Sequence, residues 1–128
     1  MSDPYVHRIR IRYGEVDMQR VVFNAHYLAY CDDALETWWG VRGLDVDEVG
    51  WDAMLKKAVV EWQGSATVHD VLDIRVEVSR WGNTSFDVTY TGTVTDRPVF
   101  TAVITYVGVR TGTTETIPPP DEVRTRLS

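Results

Sequence analysis

The chain has one cysteine, three histidines and five prolines among 128 residues, and each scarcity excludes something. Cys31 alone cannot close an intramolecular disulfide or supply a cysteine metal cluster. His7, His26 and His69 lack the HxxxH kind of spacing, so no metal is expected. Long apolar runs are missing too. The longest, residues 99–109, is broken by Thr101, Thr105 and Tyr106 and falls far short of the ~20 residues that a spanning helix needs. The opening MSDPYVHRIR has no apolar core like that of a secretory leader, which makes a cytoplasmic protein the expectation. Basic charge is sparse: 13 Lys and Arg stand against 19 Asp and Glu, a net charge of -6 that argues against a nucleic-acid surface. Neither a glycine-rich phosphate loop nor a Gly-x-Ser-x-Gly elbow is present, which removes the commoner nucleotide-hydrolysing and serine-esterase readings, and no cofactor is expected.

What is present is a substantial core for one domain covering residues 1–128, with 44% hydrophobic residues. Residues 7–13 alternate as a half-buried strand does, and residues 14–23 connect it to a helix. From Asn24, read as the N-cap, Tyr27, Cys31, Ala34 and Trp38 fall on one helical stripe and Leu28, Leu35 and Trp39 on the next, with Gly40 as the stop. Cys31 on that stripe reads as a buried small hydrophobe. Residues 45–55 suggest a short second helix capped by Asp45 and interrupted at Gly50. Residues 58–68, 74–81, 85–95 and 99–110 are rich in Val, Thr, Tyr and Trp and read as strands separated by short turns. Pro118, Pro119 and Pro120 end the last strand, and residues 121–128 read as a flexible polar tail. The sum is an α+β domain, a curved antiparallel sheet of about five strands wrapped around one long central helix.

The stretch RYGEVDMQRVVFNAHYLAYCDDALETWW, residues 12–39, resembles the signature of the 4-hydroxybenzoyl-CoA thioesterase type of hotdog-fold proteins. That signature runs from an aromatic through an Asp and a Gly-Val-Val step to a polar, Tyr-containing helix start. VVEWQGSATVHDVLDIRVEV, WGNTSFDVTY and TIPPP extend the likeness to residues 7–120. The resemblance implies a hotdog fold and hydrolysis of a small or medium acyl-CoA or aryl-CoA. It also implies homodimers or homotetramers with sites at the subunit interface. It assigns Asp17 as nucleophile or general base and the Asn24 backbone amide as the donor that polarises the thioester carbonyl; members of the family differ over anhydride or general-base chemistry. Tyr13, Arg20, Val22, Phe23, His26, Tyr27 and Glu61 are the candidate substrate-binding residues. An acyl-carrier-protein thioesterase and a non-catalytic acyl-thioester binder altered by Arg20 are the alternatives.

A physical case for the same pair stands beside the resemblance. A helix start presents unpaired amides and the positive end of the helix dipole, which suit a developing oxyanion, and a carboxylate from the preceding loop can attack the carbonyl or activate water. Three departures from the family pattern stand out: Arg20 where most relatives carry Gly, Asn24 where some place His or Tyr, and Leu35 near the place of a helix Arg. Within the strand at 58–68, alternation puts Val59, Glu61, Gln63 and Ser65 on one face and Val60, Trp62, Gly64 and Ala66 on the other. Lys56, Lys57, Arg80, Arg97 and Arg110 are the cations considered for nucleotide phosphates.

Overall fold

The computed structural model describes residues 4–128, so the first three positions of the stretch read as lacking a leader lie outside the described residues. Its longest helix, α1, spans Asn24–Val41. Tyr27, Tyr30, Cys31, Ala34, Leu35, Trp38 and Trp39 are its buried residues, alternating steps of three and one that recur about every turn and make a single apolar stripe. Burying each large side chain of that stripe contributes about 1.5–3 kcal/mol. The helix does not stop at Gly40. Gly43, at φ +75, takes the left-handed position. The Leu44 amide then closes on the Trp39 carbonyl at 2.9 Å and the Gly43 amide on that of Gly40 at 3.0 Å. This pair of bonds satisfies the last carbonyls of the helix. Its start also differs from expectation: Asn24 lies one position inside, and Phe23 occupies the cap with no side-chain hydrogen bond.

The stripe is covered by five antiparallel strands, β1 (Tyr5–Arg10), β2 (Trp51–Trp62), β3 (Val71–Trp81), β4 (Ser85–Val94) and β5 (Arg97–Arg110), in the order β1-β3-β4-β5-β2. β1 and β2 are therefore the two free edges. Leu72, Ile74, Val76, Phe86, Val88, Tyr90, Phe100, Ala102, Ile104 and Tyr106 alternate into the core, as strand pleating requires. At its centre the Tyr90 and Tyr106 hydroxyls hydrogen-bond each other at 2.6 Å. Burial raises the pKa of both phenols, so they remain neutral.

Three further sequence expectations are corrected. Helix α2 covers only Val46–Val49: the Asp45 carboxylate accepts from the Asp47 and Glu48 amides, but Gly50 at φ +69 turns the chain, and Trp51 already begins β2. Burial of the Trp51 indole decides this. Its ring stacks on Trp39 and packs on Phe86, both at 5.3 Å, in space left by Gly108, where an added Cβ would lie 2.1 Å from the indole nitrogen. The same strand stops at Trp62 and does not run to residue 68. The expected flexible tail is a short helix, α3 (Asp121–Arg126), anchored because Val123 and Leu127 enter the core at 0% and 2% exposure. Arg124 lies over the Trp81 ring and donates to the Gly82 carbonyl, while Arg126 donates to that of Gly43.

Gly108→Ala should lower the unfolding free energy by about 1–3 kcal/mol through overpacking against Trp51. Gly40→Ala, where an added Cβ meets nothing within 4 Å, should raise it by about 0.5–1 kcal/mol. Urea denaturation midpoints check both signs.

Candidate active site

Residues 15–23, between β1 and α1, form a small hairpin. Val16 bridges Val22, the Asp17 amide donates to the Val21 carbonyl at 3.0 Å, and the Arg20 amide donates to the Asp17 carbonyl at 2.9 Å. That pattern, a turn over Asp17 to Arg20 whose last residue takes positive φ, is the three-residue hairpin loop that favours glycine at its last position. Arg20 takes it at φ 66. The family's usual glycine is thus explained by backbone geometry, and arginine adopts the same conformation at a cost.

The Asp17 side chain, half-buried, spends one carboxylate oxygen on the Gln19 amide at 2.8 Å. Among the described residues, no ion pair joins Arg20 to Asp17. The Arg20 carbonyl instead receives the Thr67 hydroxyl at 2.6 Å, and the Val22 amide donates to the Ala66 carbonyl at 2.9 Å, tying the hairpin to the segment after β2. On the other side the Phe23 amide donates to the Glu15 carbonyl at 3.1 Å, which brings the base of the hairpin against the start of α1. There the His26 amide folds back on the Phe23 carbonyl, while among the described residues the Asn24 and Ala25 amides donate to no backbone carbonyl outside the helix. With no capping side chain and both residues exposed, the positive end of an 18-residue helix is left open beside the hairpin.

The remaining candidates are distributed unevenly. Val22, at 2% exposure, is core, and so is Tyr27, whose ring packs on Phe100 at 5.1 Å and whose hydroxyl interacts with the Ala66 backbone. Phe23, half exposed, meets the His26 ring edge-on at 6.2 Å just beyond the hairpin. Tyr13 is neither core nor enclosed by the chain: it sits 86% exposed on a single 3-10 turn, Tyr13–Glu15. Glu61 is apart from the hairpin, paired with Thr101 on the sheet face opposite to α1, because Val60 and Trp62 pair with the core residues Ala102 and Phe100. Three of the five cations considered for phosphates are engaged within the chain. Arg80 binds Asp87 and Arg110 binds Glu115, each at 2.9 Å, and Arg97 donates to the Ser65 carbonyl at 2.7 Å. Lys56 and Lys57, exposed on β2, are the remaining two. Cys31 is fully buried and burial pushes its thiol pKa up, which makes it an inert core residue.

Sequence reasoning missed Glu15, the one buried charged side chain among the described residues. Its carboxylate accepts from the Arg12 amide at 2.8 Å and the Arg12 guanidinium at 2.9 Å. The Arg-x-x-Glu spacing ahead of the aspartate was the available signal. A groove of about 920 Å³ between β1 and α1 exposes part of this pair, along with His26, Tyr30 and Asp33.

A sheet curled around one helix, with a carboxylate hairpin at the helix start, defines the hotdog class of folds, here in its thioesterase form. The chain belongs to the thioesterase-like superfamily, whose family profile matches residues 11–127. Among solved structures it is similar to a hypothetical protein from Aquifex aeolicus, at 22% identity and TM-score 0.89 over 98% of this chain and 100% of that one. It is similar also to a 1,4-dihydroxy-2-naphthoyl-CoA thioesterase from Synechocystis, at 18% identity and TM-score 0.85 over 98% and 96% of the two chains. A 4-hydroxybenzoyl-CoA thioesterase mutant in complex with 4-hydroxybenzoyl-CoA aligns at 19% identity and TM-score 0.90 over 99% of this chain and 100% of that one. At these identities the likeness concerns the fold. No curated protein sequence matches the chain significantly. Among the described residues, no helix is long and apolar enough to cross a membrane.

Replacing Arg20 with glycine should relieve the positive-φ strain and raise the unfolding free energy by about 1 kcal/mol. Chemical denaturation reads this directly; a fall in stability would mean that the arginine side chain contributes more than its backbone costs.

Proposed function

We propose that the protein hydrolyses the CoA thioester of a small or medium acyl or aryl group, with Asp17 as the reacting carboxylate and the amide at Asn24 as oxyanion donor. One observation carries this reading: an uncapped helix start whose Asn24 and Ala25 amides lack outside backbone acceptors adjoins the hairpin that holds Asp17. A thioester carbonyl oxygen seated at those amides gains stabilisation as negative charge develops on it. Asp17 then either attacks the carbonyl carbon, expelling CoA thiolate and leaving an anhydride for water to open, or takes a proton from the water that attacks. Both routes end in free thiol and carboxylic acid. The 4-hydroxybenzoyl-CoA thioesterase solved with its substrate is an aspartate-to-asparagine mutant, which supports a carboxylate role in that relative.

The absence of an ion pair between Asp17 and Arg20 favours catalysis over a binder disabled by Arg20. The working unit is a homodimer or a larger oligomer built on it. β2 is a 12-residue free edge along which Met54, Leu55, Val59 and Trp62 are 46–50% exposed, a combination that invites pairing with a second copy. Tyr13, Met18 and Phe23 add exposed apolar surface around the hairpin, suited to cover by partner or substrate.

Thiol release from a panel of acyl-CoA and aryl-CoA thioesters should be measurable for the wild type and should fall by about 10²-fold or more in Asp17→Asn. Equal rates in the two would end the mechanism. Light scattering after size exclusion should give at least twice the 14.6 kDa chain mass, and Val59→Lys on the β2 edge should lower it. A monomeric wild type would sink the shared-interface reading.

A further inference from the structure

We propose that Glu15 is a positioning residue that clamps the Asp17 hairpin against the start of α1; the inference rests on the hydrolase reading above. The geometry is that of a three-way junction. Through its carboxylate, Glu15 receives the Arg12 amide at 2.8 Å and the Arg12 guanidinium at 2.9 Å, closing the turn that ends the β1 segment. Through its carbonyl it receives the Phe23 amide, the last donor before the helix. One residue further on, Val16 pairs with Val22, and Asp17 follows. A single residue thus joins the three parts, its side chain holding the Arg12 turn and its backbone carbonyl holding the segment that enters α1.

The environment makes the clamp specific for a charged carboxylate. The Tyr30 hydroxyl, shielded from solvent, faces Glu15 without closing a full hydrogen bond, so Arg12 carries most of the compensation for burial. Burial alone pushes the Glu15 carboxyl up, but the Arg12 side chain and amide, with Tyr30, bring it below the ordinary carboxylate value. The groups facing it from the packed elements are Arg12 on the turn and Tyr30 on α1. A carboxyl whose folded value lies below its unfolded one contributes stability that is present above the unfolded value and disappears as pH falls through the folded one. The clamp should therefore loosen on the acid side only.

Glu15→Gln keeps the size and one acceptor but loses the charge; Arg12→Ala removes the cation and leaves Glu15 in place, and serves if the first variant folds poorly. With a responsive acyl-CoA, either variant should lower kcat about tenfold and leave KM within about twofold, because misplaced reacting groups slow chemistry without removing substrate contacts. Amide hydrogen exchange over residues 16–23, corrected for intrinsic rates, should speed by about tenfold, with the core strands unchanged. In the wild type that exchange should also speed as pH falls, and in Glu15→Gln this pH dependence should vanish. Wild-type exchange over residues 16–23 in both variants, while Asp17→Asn still abolishes thiol release, would overturn the clamp alone. An Asp17→Asn protein as active as wild type would remove the hydrolase reading and the positioning role with it.

Discussion

The dominant constraint on this molecule is the apolar stripe of α1. Seven buried side chains, from Tyr27 to Trp39, run along an 18-residue helix, and among the described residues no second helix of comparable length covers them. Only a sheet bent around the helix can remove that much surface from water, and five strands of alternating pattern supply it. The position of the site follows. A helix whose flank is enclosed by the sheet has its first turn free at the rim, where the amides that have no intrahelical partners meet the hairpin leading in from β1.

The hairpin sets the local geometry of the candidate site. Its turn type is set by backbone bonds between Asp17, Arg20 and Val21, and its placement by Glu15 on one side and by Ala66 and Thr67 on the other. Asp17 is therefore presented by a framework that does not depend on its own side chain, which accepts from the Gln19 amide in the same turn. Arg20 makes its link to the rest of the fold through its carbonyl, which receives the Thr67 hydroxyl.

Much of this was legible from sequence because the signals were periodic or local. The three-and-four spacing of α1 and the strand alternation of β3, β4 and β5 reflect side-chain direction alone, and the structure follows them within a residue or a few. The face assignment of Glu61 held for the same reason. The misreadings occurred where a distant partner decides. Residues 51–55 have enough helical character to suggest a continuing helix, but Trp51 is claimed by Trp39, Phe86 and the gap at Gly108. Residues 121–128 look polar, yet Val123 and Leu127 find the core that other elements built. Asn24 is a good cap by type, but the Glu15 carbonyl bond to Phe23 moves the helix boundary one residue earlier. For the candidate site, the motif pointed to Asp17 and the helix start, while Glu15 escaped notice because it is buried, which its own residue type argues against.

The Tyr90 and Tyr106 pair carries an implication for how the sequence can drift. Each hydroxyl is the other's partner in a site shielded from water, so changing either tyrosine alone to phenylalanine strands a polar group, whereas changing both removes donor and acceptor together. The two positions are epistatic. A lineage that trades one ring for another here has to cross a less stable intermediate or alter both codons in close succession, which ties the evolution of adjacent strands β4 and β5 through a single oxygen-to-oxygen contact.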